Sequence, residues 1–290
     1  MAVLSKKIDF ALVIAVKHAN PNGDPLNGNR PRETYNGNGE ISDVCLKRKI
    51  RNRMMDLGAK VFVQSDDRAN DGFRSLKERA ENCQALVEAG KKKDKEAYAK
   101  AACEEWLDVR SFGQVFAFKG GNDNGVSVGV RGPVSIHPAF SVDPIIIDSL
   151  QITKSVNSEP ADKKSSDTMG TKHRVGFGVY TTFGSINCQL AEKTGFSDED
   201  AELLKEALKT IFENDASSAR PEGSMEVVRM YWWEHNCRSG QYPSAKVHKL
   251  LHVDKKIDMD TKKEVDNPKD IDDYVITCDS LPDLKVEIYD

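Results

Sequence analysis

The sequence predicts an α+β fold in which strand, helix, strand, strand, helix and strand follow one another. Three observations predict it. An apolar, β-branched run at 8–16 opens the chain, two segments carry apolar residues at helical spacing, and the later apolar stretches alternate or are punctuated by glycine. The 290 residues are 39% hydrophobic and 30% charged, which supports a packed core and excludes wholesale disorder. The length admits one elaborated domain or two small ones.

The first strand, 8–16, leads into a stretch at 18–40 rich in turn formers. Its steps Asn20-Pro21-Asn22-Gly23-Asp24-Pro25, Asn27-Gly28, Asn36-Gly37 and Asn38-Gly39 predict a long loop. Ser42 offers an N-cap, and Leu46, Ile50, Met54 and Leu57 then recur at helical spacing. Residues 60–118 read as an inserted, largely helical segment, Ala/Glu/Lys-rich at 78–106, whose run Lys91-Lys92-Lys93-Asp94-Lys95 reads as a solvated face. Val126, Val128 and Val130 alternate as in a strand, and Arg131-Gly132-Pro133 interrupts before Val134 and Ile136 resume. A strand at 144–153, a polar protruding arm at 154–167 and a strand at 174–187 follow. The second helix, 197–214, opens on a Ser197/Asp200 capping-box pattern, and 225–233 is the last clear strand. Stripped of insertions, the order βαββαβ is the ferredoxin-like one that RNA-recognition modules share.

Composition narrows the function classes. No apolar run approaches the roughly 20 residues that span a bilayer. Asp9 interrupts the first apolar run and no small-residue cleavage pattern follows, so no signal peptide is read and a cytoplasmic chain is expected. None of the six cysteines forms a Cys-x-x-Cys pair, which leaves reduced thiols rather than a zinc knuckle or dithiol site. No Gly-rich phosphate loop, nucleophile elbow or dinucleotide fingerprint is present, so neither a cofactor nor a metal is expected. The net charge of −4 conceals an asymmetry: residues 253–290 hold 12 acidic groups and 6 lysines, leaving the other 252 residues at +2. A polyanion responds to local patches rather than to this sum.

One patch is prominent. Lys47, Arg48, Lys49, Arg51 and Arg53 put five cations into seven residues of the first helix, with Lys47, Arg48 and Arg51 expected opposite its apolar stripe and Lys49 and Arg53 flanking it. Against a phosphodiester backbone such a cluster makes charge-assisted contacts and releases counterions; otherwise it is a solvated face balanced by distant acids. At the end of the polar arm, Thr168-Met169-Gly170-Thr171-Lys172-His173-Arg174 combines phosphate-holding cations, a histidine able to stack on a base, and Met169. That methionine is either a wedge between bases or a core residue at a hairpin base. Residues 174–180 loosely match the basic-Gly-aromatic-Gly RNA-stacking signature, with one residue too many. His248 and His252 have the spacing of a helical metal pair but lack the accompanying glutamate. Asp24 either assists RNA cleavage from the long loop or shapes its turn.

Asn20-Pro21-Asn22-Gly23-Asp24-Pro25, Ser42-Asp43-Val44-Cys45-Leu46-Lys47-Arg48-Lys49-Ile50-Arg51-Asn52, Val130-Arg131-Gly132-Pro133-Val134, Thr168-Met169-Gly170-x-Lys172-His173 and Leu190-Ala191-Glu192-Lys193-Thr194-Gly195-Phe196 occur in this order. Together they resemble the backbone subunit of the type I-C CRISPR interference complex (Cascade), in the Cas-seven branch of the RAMP superfamily. The resemblance implies one domain with an RRM-like palm (1–59, 119–141 and 173–252), helical fingers (60–118), a thumb hairpin (142–172) and an acidic C-terminal region (253–290). It implies a non-catalytic subunit that polymerises along crRNA and presents it to target DNA, beside further copies of itself and the processing, large and small subunits. Lys47, Arg48, Lys49, Arg51 and Arg53 on the helix, Arg131 near the palm, and Met169, Lys172, His173 and Arg174 at the thumb base are the residues expected on RNA. The alternative is a metal-dependent RNA endonuclease of the same superfamily centred on Asp24.

Overall fold

The computed structural model describes residues 2–118, 127–156, 160 and 169–290. Strand β1 (Ile8–Ala19) is followed by two short strands that pair with each other, β2 (Gly23–Asp24) and β3 (Arg30–Pro31), and by β4 (Asn38–Ile41). Helix α1 (Asp43–Asp56) precedes an insertion of α2 (Leu76–Glu81), α3 (Gln84–Lys91), α4 (Lys95–Glu105), α5 (Leu107–Phe112), β5 (Gly113–Phe116) and β6 (Val128–Arg131). Next come β7 (Val134–Ile136), β8 (Ala139–Pro144), β9 (Ile147–Thr153) and the 18-residue β10 (Met169–Ile186). Helices α6 (Cys188–Thr194) and α7 (Asp198–Lys209) lead to β11 (Met225–Glu234). The chain closes with α8 (Ser244–His248), β12 (Leu251–Lys255), β13 (Tyr274–Cys278) and β14 (Lys285–Tyr289). No helix among the described residues is long and apolar enough to cross a membrane.

Strand β1 is apolar almost throughout because both its faces are covered. It runs antiparallel to β10 on one side and to β11 on the other, inside an eight-stranded antiparallel sheet. Along it Phe10, Leu12, Ile14 and Val16 pack with Leu46, Ile50 and Met54 of α1 and Ala201, Leu204 and Leu208 of α7. The intervening Ala11 and Val13 point to the other face, where Tyr231, Trp233, Val247 and Tyr274 lie. Each fully buried Leu or Ile here contributes about 1.5–3 kcal/mol. β14 borders β11, while β7, β8 and β9 pair with successive stretches of β10, and β4 lies beyond β8.

The insertion builds its own core from Phe62, Tyr98, Trp106 and Phe116. The expected alternating strand at Val128 and Val130 belongs to it: β6 pairs with β5, not with the main sheet, and Val128 is buried in the insertion core. Gly113, at φ 81°, makes this junction possible, because a Cβ there would lie 2.3 Å from the Val130 carbonyl oxygen. Asp108 fastens the insertion to α1. Its fully buried carboxylate accepts from the Phe62 and Val63 amides and from Arg51 Nε at 2.9 Å.

Other boundaries differ from the sequence expectation. The strand expected at 144–153 starts at Ile147, where the chain turns out of β8 to pair with the first half of β10. The second helix keeps its Ser197/Asp200 capping box but ends at Lys209, followed by turns. Val126, Thr168 and the arm at 154–167, apart from 154–156 and 160, lie outside the described residues.

Candidate nucleic-acid interface

The long loop and α1 are built together. Ser42 caps α1 by accepting from the Cys45 amide, and both its amide and its hydroxyl donate to Asn22 Oδ1, at 2.9 and 2.8 Å. Asn20 Nδ2 donates to the Asn29 carbonyl, and the returning strand is held as Asn38 Nδ2 donates to the Ser141 carbonyl. The loop therefore has a fixed course while leaving Leu26 97% exposed and Tyr35 fully exposed. Asp24 shapes the turn: its carboxylate accepts from the Leu26 amide at 3.2 Å and lies 3.5 Å from Arg32 Nη2.

The five α1 cations separate into two groups, which corrects the expectation that Arg51 projects away from the core. Lys49 is 3% exposed, paired with Asp215 and set 5.7 Å from the Phe212 ring centre. Burial pushes its ammonium below the usual lysine range, against the pull of Asp215. Arg51 pairs with Asp108 and lies over Phe112, and Arg53 donates to Thr210 Oγ1 and pairs with Glu213. These three side chains hold α1 to α5 and to the end of α7. Only Lys47, with its i,i+4 partner Asp43 at 3.0 Å, and the exposed Arg48, 3.8 Å from Asp67, face solvent.

At the root of the β9–β10 hairpin, cross-strand pairing sets Lys172 opposite Leu150, His173 opposite Ser149 and Arg174 opposite Asp148. Arg30 Nη1 donates to Ser149 Oγ at 3.2 Å, and that hydroxyl shares a 2.8 Å hydrogen bond with His173 Nδ1. This Arg30–Ser149–His173 chain ties the long loop to the hairpin. Arg174 lies 3.6 Å from Asp148. Met169 is 62% exposed, with its sulfur accepting from Gln151 Nε2, so it is not the core residue that one reading of the sequence made it. Leu150 and Ile152 are exposed on the same hairpin. Arg131 is exposed at the end of β6 and makes no ion pair among the described residues.

Sequence reasoning missed Arg30, Leu26 and Tyr35. Two arginines and two large apolar side chains inside a Gly/Asn/Pro-rich loop were the available signal. His248 ends α8 while His252 sits on β12, so their spacing is not that of a helical pair. His252 pairs with Asp279. His248 instead joins a buried cluster in which Gln241 N–H donates to His235 Nδ1, leaving the Nε2–H of His235 to donate to Asp9 at 2.7 Å. Burial pushes the Asp9 carboxyl up, but the hydrogen bond from His235, with the side chains of His248, Ser244 and Lys7 close by, holds it well below the usual range.

A family model described as CRISPR-associated protein Cas7 matches residues 6–279. The CRISPR-associated protein Cas7 of Haloferax volcanii is 25% identical over 251 residues, covering 80% of this chain and 72% of its own length. Among solved structures, a chain of a CRISPR RNA-guided surveillance complex, pre-nicking, superposes with a TM-score of 0.48 at 17% identity, covering 78% of each chain. A chain of another CRISPR RNA-guided surveillance complex gives 0.41 at 14% identity, over 78% of this chain and 68% of that one.

Proposed function

This chain belongs to the CRISPR-associated protein Cas7 family, and from that premise we propose that it binds guide RNA as a backbone subunit of a Cascade complex. Copies polymerise along one crRNA and hold it for pairing with target DNA, so that base pairing rather than the protein reads sequence. The observation that carries this reading is the family match across 6–279. The order of the five motifs supports the finer assignment to type I-C, acting without catalysis in the cytoplasm beside the processing, large and small subunits.

In this reading the main sheet with α1 and α7 is a ferredoxin-like palm, the insertion forms the fingers, and the β9–β10 hairpin is the stem of the thumb. Lys47 and Arg48 grip phosphates from α1, joined by Arg131, while Lys172, His173 and Arg174 hold the strand at the thumb root and Met169 presses between bases. Lys49, Arg51 and Arg53 serve that surface by fixing α1 in place. Few solvent-facing cations per copy suffice because copies on one strand bind with summed effect.

The test is to express the chain alone and record particle mass and the ratio of absorbance at about 260 and 280 nm before and after ribonuclease. Large RNA-rich particles that fall apart on digestion are expected. A chain that stays free of RNA, with guide RNA and the other complex subunits both supplied, overturns the reading.

A further inference from the structure

A cavity of about 670 Å³ opens between β10, the β8–β9 corner and the β12–β13 hairpin. It lies on the sheet face that α1 and α7 do not cover, and its size is within the roughly 300–1,000 Å³ of small-molecule sites. The Gly176-Phe177-Gly178 step of β10 lines it. This is the stretch whose sequence loosely matches the RNA-stacking signature, and the fold gives the match a physical basis. Phe177 packs on the face opposite the helices, whereas Tyr180 turns into the helix-side core. Phe177 also pairs in register with Lys17 on the central strand β1. An aromatic ring on a central strand, on the sheet face away from the two main helices, is how RNA-recognition sheets stack bases.

The Tyr274 ring, 6.4 Å from Phe177 between centres, forms a second wall, and its hydroxyl donates to Asp143 at 2.7 Å. Lysines 17, 255 and 269 stand around the opening. Lys17 is paired with Asp270 at 2.6 Å, with both side chains about half exposed, and Lys255 with Asp143 at 3.0 Å. Exposed pairs of the Lys17–Asp270 kind contribute little to stability, so a phosphate can take Asp270's place.

We propose that this cavity is a second nucleic-acid subsite, taking one unpaired base of a single strand against Phe177 with its phosphate on Lys17 and Lys269. Asp270 holds the phosphate position when no strand is bound. The inference rests on the RNA-binding reading above but concerns the opposite face of the sheet from α1.

The test uses the full chain with a short single-stranded RNA carrying 4-thiouridine, irradiated at saturating RNA, with adducts mapped by mass spectrometry. Adducts at Phe177 or Tyr274 are expected. Phe177→Ala cuts them roughly five- to hundredfold. Because Phe177 also packs on Tyr274, Lys17→Glu/Lys269→Glu gives an independent arm: both side chains are exposed, so adduct yield falls while the melting temperature holds. Adducts confined to α1, the long loop and the hairpin root overturn the subsite and leave the backbone reading standing. Absence of any RNA binding overturns both.

Discussion

Lys47 and Lys49 stand two residues apart on one helix in opposite surroundings. Lys49 is buried against Asp215, which Arg220 also contacts at 3.0 Å, while Lys47 keeps only a solvent-facing partner. Removing one member of a buried pair strands the other's charge, so Lys49→Ala is expected to lower the unfolding free energy by about 3 kcal/mol, at the low end because Arg220 remains. Lys47→Ala changes stability by about 0.5 kcal/mol or less but weakens RNA binding to all sequences alike and reduces the salt slope by about 1. Urea titrations and RNA binding at several salt concentrations measure both. An unchanged slope in Lys47→Ala removes it from the phosphate path. The density of charge on α1 was legible in the sequence; its division was not. Helical spacing reveals partners at i+3 and i+4, whereas Asp108, Asp215 and Glu213 lie 57, 166 and 160 positions away from their partners.

Among the elements, the helices were the most legible, since apolar spacing and a cap are local: Ser42 and Ser197 each cap the helix expected of them. Strands were less so. Alternation marks Val128 and Val130 as strand residues without saying which sheet receives them, and the polar β9–β10 stem hid the full length of β10. The edge strand β14, within the acidic C-terminal region, went unread. It is fastened to β11 by pairing over Lys285–Tyr289 and to α7 by Lys205, which contacts Glu287 at 3.0 Å. Hydrogen bonds from Lys285, Tyr289 and Lys205 hold the Glu287 carboxyl down to about 2, against burial. A carboxyl depressed in the folded state stabilises it fully above its ordinary value of 4.5, and loses that contribution as pH falls toward about 2. Amide-exchange protection of 285–289, corrected for intrinsic rates, is expected to fall across that window. Glu287→Gln flattens the dependence; an equally steep fall in this variant assigns the acid sensitivity to another group.

At the scale of the whole molecule, the described residues form three cores that account for stability: one between the sheet and α1/α7, one within the insertion, and one under α8 and the β12–β13 hairpin. No described residue of 155–167 belongs to any of them. Deleting 155–167 is therefore expected to leave the monomer folded, with its melting temperature within about 2 °C, while preventing regular assembly on RNA. Mass measurement and electron microscopy of the purified particles check this, and normal filaments from the deletion sink the thumb assignment. By itself the sequence determined the α+β order, the buried central strand, the two capped helices and, through five ordered motifs, the family. Each depends on local periodicity, on local side-chain chemistry or on motif order along the chain. Only the tertiary structure decided which α1 cations face solvent, that Met169 stays exposed, that β6 serves the insertion, and that Arg30 joins the loop to the hairpin. Those outcomes depend on which distant segments meet in space, and neither spacing nor composition encodes such meetings position by position.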